Sequence, residues 1–218
     1  MNRKAKILGL VLFVVVATAV MTTVSAPAEG GIFTAAAYPA TITGSSEVEV
    51  SYGEAGATET CKSEALHGTL SEPSTTLELV PTYAECTITY GGGGGGNIVT
   101  TMNGCAYKDT APVKLSVDVF EIATDLVCPP GKQMEKHAPQ NCTFTFPAQA
   151  NMMINVYEDD TATGKVTLKL TGTQFTYTVD KGFGCPLKAG TFKDAKISGP
   201  KKTLSASKEG SPVGWHVG

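Results

Sequence analysis

The sequence predicts an all-β fold, a Thr-rich antiparallel sandwich or barrel held by three disulfides. Three observations lead to this prediction: short runs of alternating apolar and polar residues, Gly, Pro, Asn and Asp between those runs, and six cysteines in the same region. Helical periodicity is nearly absent along the 218 residues. Successive side chains of a strand point to opposite faces, so each alternating run can form one dry face and one wet face.

The N-terminal segment has the order of a secretory signal peptide. Three basic residues precede an uncharged apolar run, Ile7–Met21, and a small-residue exit follows at Ala26–Ala28. The run has 15 residues, fewer than the roughly 20 that cross a bilayer as a helix. A signal peptide over residues 1–28 that is cleaved is therefore favoured over a retained anchor. We expect the product to be secreted or associated with the cell envelope.

The charge of the remaining chain argues against nucleic acid as a partner. Residues 29–218 carry 14 lysines, no arginine and 20 acids, a net charge of −6. Without guanidinium groups the chain lacks the forked donors that dominate phosphate and guanine recognition. The charge is also uneven, −8 over residues 29–110 and +2 over residues 111–218. This asymmetry indicates either two solvated faces of different sign or an electrostatic fit, between the halves or between neighbouring molecules.

Ten or more short strands are expected after the signal segment, a number typical of a sandwich or barrel. The run from Val113 to Ile122 has four residues on one side, Val113, Leu115, Val117 and Val119. It then changes phase near Phe120 and Ile122, as a bulge would cause. The predicted strands are Glu47–Tyr52, Thr75–Val80, Thr87–Tyr90, Ile98–Met102, Val113–Ile122, Thr143–Phe146, Met152–Tyr157, Lys165–Thr171, Phe175–Val179 and Thr191–Ser198.

Two junctions are expected to be hairpin turns. The run Gly91–Gly96 links two Thr-rich strands, and Glu158–Gly164 links two further strands. The glycine run has no P-loop Lys-Ser/Thr after it, so a flexible hairpin tip is favoured over a phosphate cradle.

The chain is long enough for one β domain or for two β halves. The segment Cys86–Tyr90 resembles Cys142–Phe146 in sequence. An old duplication and a shared Thr-rich composition explain this resemblance equally well. The division would place an acidic half with the glycine-tipped hairpin at residues 29–110. The second half, residues 111–218, would end in a Lys-rich segment.

Six cysteines allow 15 pairings, and local geometry suggests one of them. Cys86 and Cys105 lie at the outer ends of the glycine-tipped hairpin, and Cys128 and Cys142 flank a Pro-Pro-Gly turn. The sequence therefore predicts bridges from Cys86 to Cys105 and from Cys128 to Cys142, with Cys61 and Cys185 joining the halves. No CxxC occurs, so a metal site is disfavoured.

Four short blocks carry a resemblance that covers most of the mature chain. They are Tyr38–Gly44, Pro81–Thr87, Met102–Tyr107 and Val127–Gly131. These blocks are similar to blocks of exported, disulfide-bonded, β-rich proteins of soil actinobacteria whose function is uncharacterised. The resemblance implies export, disulfides and an extracellular or envelope location, and it supplies no catalytic residue.

Chemically reactive patterns are sparse. His67, His137 and His216 are far apart and lack a metal-binding spacing, and no GxSxG, HExxH or DxDxDG motif is present. The weak candidate is a calcium site on the acidic turn Glu158, Asp159 and Asp160, for which a solvated hairpin tip is the alternative. Trp215, the only tryptophan, is expected to fill a core edge as part of a last strand rather than to stack on sugars.

Two functions follow as hypotheses. The favoured one is a non-enzymatic exported β module, structural or binding, that contacts an extracellular or cell-envelope partner and needs no cofactor. The alternative is an extracellular, glycan-directed hydrolase whose carboxylates converge only in three dimensions. We assign no catalytic residue. A concave cleft with two acids and a buried histidine would favour the hydrolase.

Overall fold

The all-β fold is confirmed. The computed structural model describes residues 30–173 and 175–218, so the predicted signal peptide, residues 1–28, lies outside the described residues. All regular elements of the described chain are strands, and every pairing between them is antiparallel. No helix in this part of the chain is long and apolar enough to cross a membrane. The strands are β1 (Phe33–Ala35), β2 (Ala40–Tyr52), β3 (Ala57–Leu70), β4 (Thr76–Tyr90), β5 (Gly95–Asn97), β6 (Val99–Thr101), β7 (Ala106–Ser116), β8 (Val119–Val127), β9 (Met134–Ala138), β10 (Cys142–Phe146), β11 (Gln149–Asp160), β12 (Lys165–Thr173), β13 (Phe175–Lys181), β14 (Gly190–Ser198), β15 (Lys202–Lys208), β16 (Ser211–Val213) and β17 (Trp215–Val217).

Eight of these strands form a closed barrel. Their order around the ring is β2, β3, β4, β7, β8, β11, β12 and β15, and the ring closes because β15 also pairs with β2. At the closure Gly44 faces Leu204, and a Cβ at Gly44 would lie 2.7 Å from the carbonyl oxygen of Thr203. Glycine is the residue that permits so close an approach of the two backbones.

The remaining strands extend a second curved sheet from three barrel strands. β2, β3 and β4 have 13, 14 and 15 residues and continue beyond the barrel. There β2 pairs with β14 and β4 pairs with β5, and the order continues through β14, β13, β10, β9 and β6. The last strand of this sheet, β6, is separated from β5 by Ile98 alone, and β5 pairs with β4. The sheet therefore also curves back to β4. Its core is aromatic, formed by Tyr52, Phe144, Phe146, Phe175, Tyr177 and Phe192.

The two ends of the described chain pack together at the barrel. β1 pairs with β17, and the indole of Trp215 is fully buried against Tyr157, with its Nε1 donating to the Leu204 carbonyl oxygen at 3.2 Å. The prediction that Trp215 fills the core as part of a last strand is confirmed.

The three disulfides exist, but the predicted pairing was wrong. The bridges join Cys61 to Cys86, Cys105 to Cys128 and Cys142 to Cys185. The prediction placed Cys105 opposite Cys86 across the glycine hairpin. Instead β4 uses its other edge to pair with β3, in a register that sets Cys61 directly opposite Cys86, with their Cα atoms 3.9 Å apart.

The other two bridges follow the same principle of in-register neighbours. Cys105 and Cys128 lie immediately outside the pair Ala106 and Val127, which join β7 to β8. Cys142 begins β10, which pairs with β13, and Cys185 follows β13 by four positions. Each bridge therefore ties together two strands that are already paired, and none connects distant parts of the fold.

The division into two halves does not match the strand order. The boundary between residues 110 and 111 falls inside β7. Strands from the two predicted halves are close neighbours in the barrel. β4 of the first half pairs with β7, which contains the boundary, and β7 pairs with β8 of the second half.

The predicted hairpins are partly present. Residues Gly91–Gly94 form the turn after β4, whereas Gly95 and Gly96 belong to the returning strand β5. The prediction of one bulged strand over Val113–Ile122 was wrong, because β7 ends at Ser116 and β8 begins at Val119, so the change of phase comes from a hairpin turn. The register between β7 and β8 does shift, but after Thr110 and after Lys114 rather than near Phe120 and Ile122.

Candidate functional site

Charged and polar side chains lie inside the barrel, where the core of a β protein is normally apolar. Glu64, Asp109, Asn155 and Lys202 lie on β3, β7, β11 and β15, which are every second strand around the ring. Each is at most 5% exposed. These four residues define the barrel polar site.

An ion pair occupies one side of this site. The Lys202 ammonium donates to Glu64 Oε2, and both side chains are almost completely buried. A buried charge is tolerated when a partner of opposite sign compensates for lost hydration.

Among the described residues, no side chain of opposite charge is bonded to Asp109. It accepts hydrogen bonds from the hydroxyls of Thr124 and Tyr157. Burial raises the pKa of Asp109 to about 6, although the two hydroxyl hydrogen bonds lower it. Burial, together with the charge of Asp109, also raises the pKa of Tyr157, so this phenol stays neutral. Asp109 is therefore a buried carboxyl whose charge changes near neutral pH.

Asn155 completes the hydrogen-bond chain. Its Nδ2 donates to Thr124 Oγ1 at 2.6 Å, while its Oδ1 has no hydrogen-bond partner among the described residues. The free space between these groups is a cavity of about 20 Å³, room for about one water molecule. No sugar or peptide fits in this space.

A second ion pair lies in the core of the second sheet. The Lys136 ammonium donates to both carboxylate oxygens of Glu59, at 2.9 and 2.7 Å, and the Tyr52 hydroxyl donates to Glu59 Oε2 at 2.7 Å. Lys136 also lies 4.8 Å from the centre of the Tyr83 ring, a cation–π contact. Glu59 is thus fully compensated.

A pair of tyrosines connects the two polar regions. The hydroxyls of Tyr83 and Tyr107 are hydrogen-bonded to each other. Tyr83 contacts Lys136, and Tyr107 lines the barrel cavity beside Glu64. Burial raises the pKa of both phenols, so the link between the two ion pairs is uncharged.

Both buried ion pairs join the acidic half to the Lys-rich half. Glu59 and Glu64 come from residues 29–110, whereas Lys136 and Lys202 come from residues 111–218. Part of the charge asymmetry of the sequence is therefore an electrostatic fit inside the fold.

The predicted calcium site is not formed. Glu158 and Asp160 lie on strand β11 with Asp159 between them, so alternation sends Asp159 to the opposite face. Glu158 pairs with Lys201 at 2.6 Å, and Asp160 accepts hydrogen bonds from its own turn, which lowers its pKa. Asp159 is buried and bonds to His216. The strand continues through the residues that the sequence placed in a turn.

The histidines remain separate. His67 and His137 are exposed, and His216 is half-buried with its Nδ1 3.2 Å from both carboxylate oxygens of Asp159. The Asp159 and His216 pair resembles two members of a catalytic triad. Within the described residues, however, the hydrogen bonds of the His216 ring go to Asp159 alone, and no hydroxyl nucleophile is bonded to it.

One group has the composition of a metal site but cannot act as one. Glu59, Cys61 and Cys86 bring a carboxylate and two sulfurs together. The two sulfurs form a disulfide, and Glu59 already accepts from Lys136 and Tyr52. Thiolates are the sulfur ligands of metal ions, so an oxidised pair leaves no ligand set here.

Comparisons with known proteins found no match to a family model, a curated protein or a solved structure. The resemblance to exported proteins of soil actinobacteria therefore stays a prediction.

Proposed function

We propose that this protein is an exported, non-enzymatic β module that acts by contact through its outer surface, toward an extracellular or cell-envelope partner. The observation that carries the proposal is the state of the buried acids. Glu59 and Glu64 are ion-paired, Asp109 is held by two hydroxyls, and the barrel cavity measures about 20 Å³. Carboxylates in such a space are out of reach of a glycan.

Export is supported by the N-terminal sequence and by the disulfides. All six cysteines are oxidised in three bridges, with no free thiol. Disulfides persist in the extracellular and periplasmic spaces and are rare in the cytosol.

The surface grooves give the hydrolase alternative little support. A groove of about 440 Å³ contains Glu85 as its single acid, and Glu85 is paired with Lys62 at 2.6 Å. Another of about 460 Å³, lined by Thr43, His67, Lys201 and other residues, contains no acid. Glycoside hydrolysis ordinarily needs two carboxyl groups about 5 to 10 Å apart across the substrate. The hydrolase therefore stays the second hypothesis, and Asp159, which is buried beside His216, is the acid that its test removes.

The test combines location with activity. The full chain is expressed in a host that exports it, and the exported product is assayed for release of reducing ends from a panel of envelope and plant polysaccharides. We expect an oxidised product in the exported fraction and no hydrolysis above that of a D159N variant. Hydrolysis that D159N abolishes, with the thermal unfolding temperature unchanged, would establish the hydrolase instead.

A further inference from the structure

The hairpin between β7 and β8 carries an unusual row of exposed aliphatic side chains. Val113, Leu115 and Val117 are 43%, 56% and 78% exposed. Val113 lies on β7, Leu115 lies at the register shift between Lys114 and Ser116, and Val117 lies in the turn. Their exposed fractions show that all three face solvent rather than a core. β7 ends at Ser116, and the chain turns at Asp118, whose φ of 58° lies in the left-handed region typical of turns.

This part of β7 extends past its neighbour in the barrel. β4 pairs with β7 only as far as Thr110, so the segment Val113–Ser116 has β8 on one side and no strand of the described chain on the other. On the opposite face, Lys114 lies 5.8 Å from the centre of the Phe120 ring. The hairpin is therefore anchored through one face and presents aliphatic groups on the other.

The N-terminal segment reaches the fold at the base of this hairpin. The Gly31 amide donates to the Pro112 carbonyl oxygen at 2.7 Å, and the next residue, Ile32, is also exposed. Residues 22–30 alone separate Gly31 from the apolar run Ile7–Met21. Nine residues span at most about 32 Å when fully extended. Whenever the apolar run is in a bilayer, this end of the molecule is held close to the lipid surface.

We propose that the β7–β8 hairpin tip docks into the interfacial region of a lipid bilayer, through Leu115 and Val117. Aliphatic side chains without aromatic or hydrogen-bonding groups suit acyl chains. Two carboxylates limit immersion: Asp118 is half-buried in the turn beside Val117, and Glu121 is exposed opposite Val113 in the register. They keep the hairpin at the depth of the lipid headgroups. Two or three aliphatic groups give weak, reversible attachment, comparable in kind to a single acyl chain.

This inference names the surface that the proposed module contacts, and so it rests on the proposed function. The docking inference and the proposed function can fail separately. Absence of vesicle binding by an exported, inactive protein removes the docking inference and leaves the proposed function, whereas hydrolysis of a polysaccharide removes the proposed function whatever the vesicles show.

The first experiment reads the position of the hairpin directly. V117W and F183W variants of the exported chain are mixed with phosphatidylcholine vesicles that contain lipids brominated on their acyl chains. Phe183 is 98% exposed and lies outside the hairpin, which makes it the matched control, and native Trp215 is buried and gives a constant background. We expect a blue shift and quenching for V117W and neither change for F183W. The quenching is informative whether the N-terminal segment is cleaved or retained, because the introduced tryptophan lies in the hairpin itself.

The second experiment measures binding by flotation of the same vesicles. The double variant L115S/V117S should lose most of the bound fraction of the cleaved chain, and the control V99S/F183S should keep it. Unquenched V117W emission, or flotation of L115S/V117S at the wild-type level, would overturn the proposal. Concentration-dependent self-association that L115S/V117S abolishes, without vesicle binding, would also overturn it and would assign the hairpin to a second copy of the chain.

Discussion

Asp109 shows how a single buried side chain can make the stability of the whole protein depend on pH. The carboxyl lies 1% exposed between two hydroxyls, without a positive charge bonded to it. Its folded-state pKa of about 6 lies above the ordinary value of 3.8. Between these values the folded chain holds a proton that the unfolded chain releases, so the stabilisation is complete below pH 3.8 and is lost as pH rises through about 6.

We therefore expect this group to lower the free energy of unfolding by about 2 kcal/mol between pH 4.5 and pH 7, since each pKa unit corresponds to about 1.4 kcal/mol and the unfolded carboxyl is already mostly ionised at pH 4.5. D109N removes the titration and keeps the shape. Urea unfolding at pH 4.5 and pH 7 should show a smaller loss for D109N than for the wild-type chain. Equal losses in the two proteins would show that Asp109 is not the responsible group.

Glu64 and Lys202 test a different property, the dependence of a buried charge on its partner. K202M leaves the Glu64 carboxylate buried without its counter-charge and should cost about 3 to 5 kcal/mol. The double variant E64L/K202M should recover most of that loss, because two apolar side chains can replace a buried ion pair. A double-mutant cycle by urea unfolding measures the coupling. If the single and double variants lose the same stability, the pair does not act as a unit.

At the scale of strands, the sequence shows where strands lie better than it shows how they pair. Alternation located β10, β13 and β14, because their dry faces are continuous, whereas it divided β4 into two strands and joined parts of β7 and β8 into one. The pairing of β15 with β2 depends on residues about 160 positions apart, such as Gly44 and Leu204. No local pattern encodes such a register, and the error in the disulfide prediction follows directly from this.

The two buried ion pairs left a pattern in the sequence, but their strands β3, β9 and β15 were not among the predicted strands. Glu59 alternates with Ala57 and Cys61, and all three are buried. Glu64 and Lys202 likewise lie at inward positions next to Leu66 and Leu204. A charged residue in a strand normally indicates the wet face, so only the partner on a distant strand reveals that the charge is internal.

The bridge between β3 and β4 gives a test at the same scale. Peptide mapping without reduction should link Cys61 to Cys86, and cleavage after Tyr90 separates Cys86 from Cys105. Replacing both Cys61 and Cys86 by alanine should cost about 3 kcal/mol, the chain-entropy value for a loop of 25 residues. A peptide that links Cys86 to Cys105 would restore the pairing predicted from sequence.

For the whole molecule, the long strands β2, β3 and β4 decide how the two cores are related. They line the barrel at one end and the aromatic core of the second sheet at the other. The hydrogen bond between Tyr83 and Tyr107 and the two ion pairs cross the same region. Neither core can lose these strands without exposing apolar surface of the other.

We therefore expect the two cores to unfold as one cooperative unit. Trp215 reports on the barrel, and hydrogen exchange of peptides from β10 and β13 reports on the second sheet. In a two-state transition both probes give the same free energy of unfolding. Y107F removes the hydroxyl link but keeps the shared strands, so it should lower stability while the probes still coincide. Faster, separate exchange of β10 and β13 in the wild-type chain would show that the second sheet opens independently of the barrel.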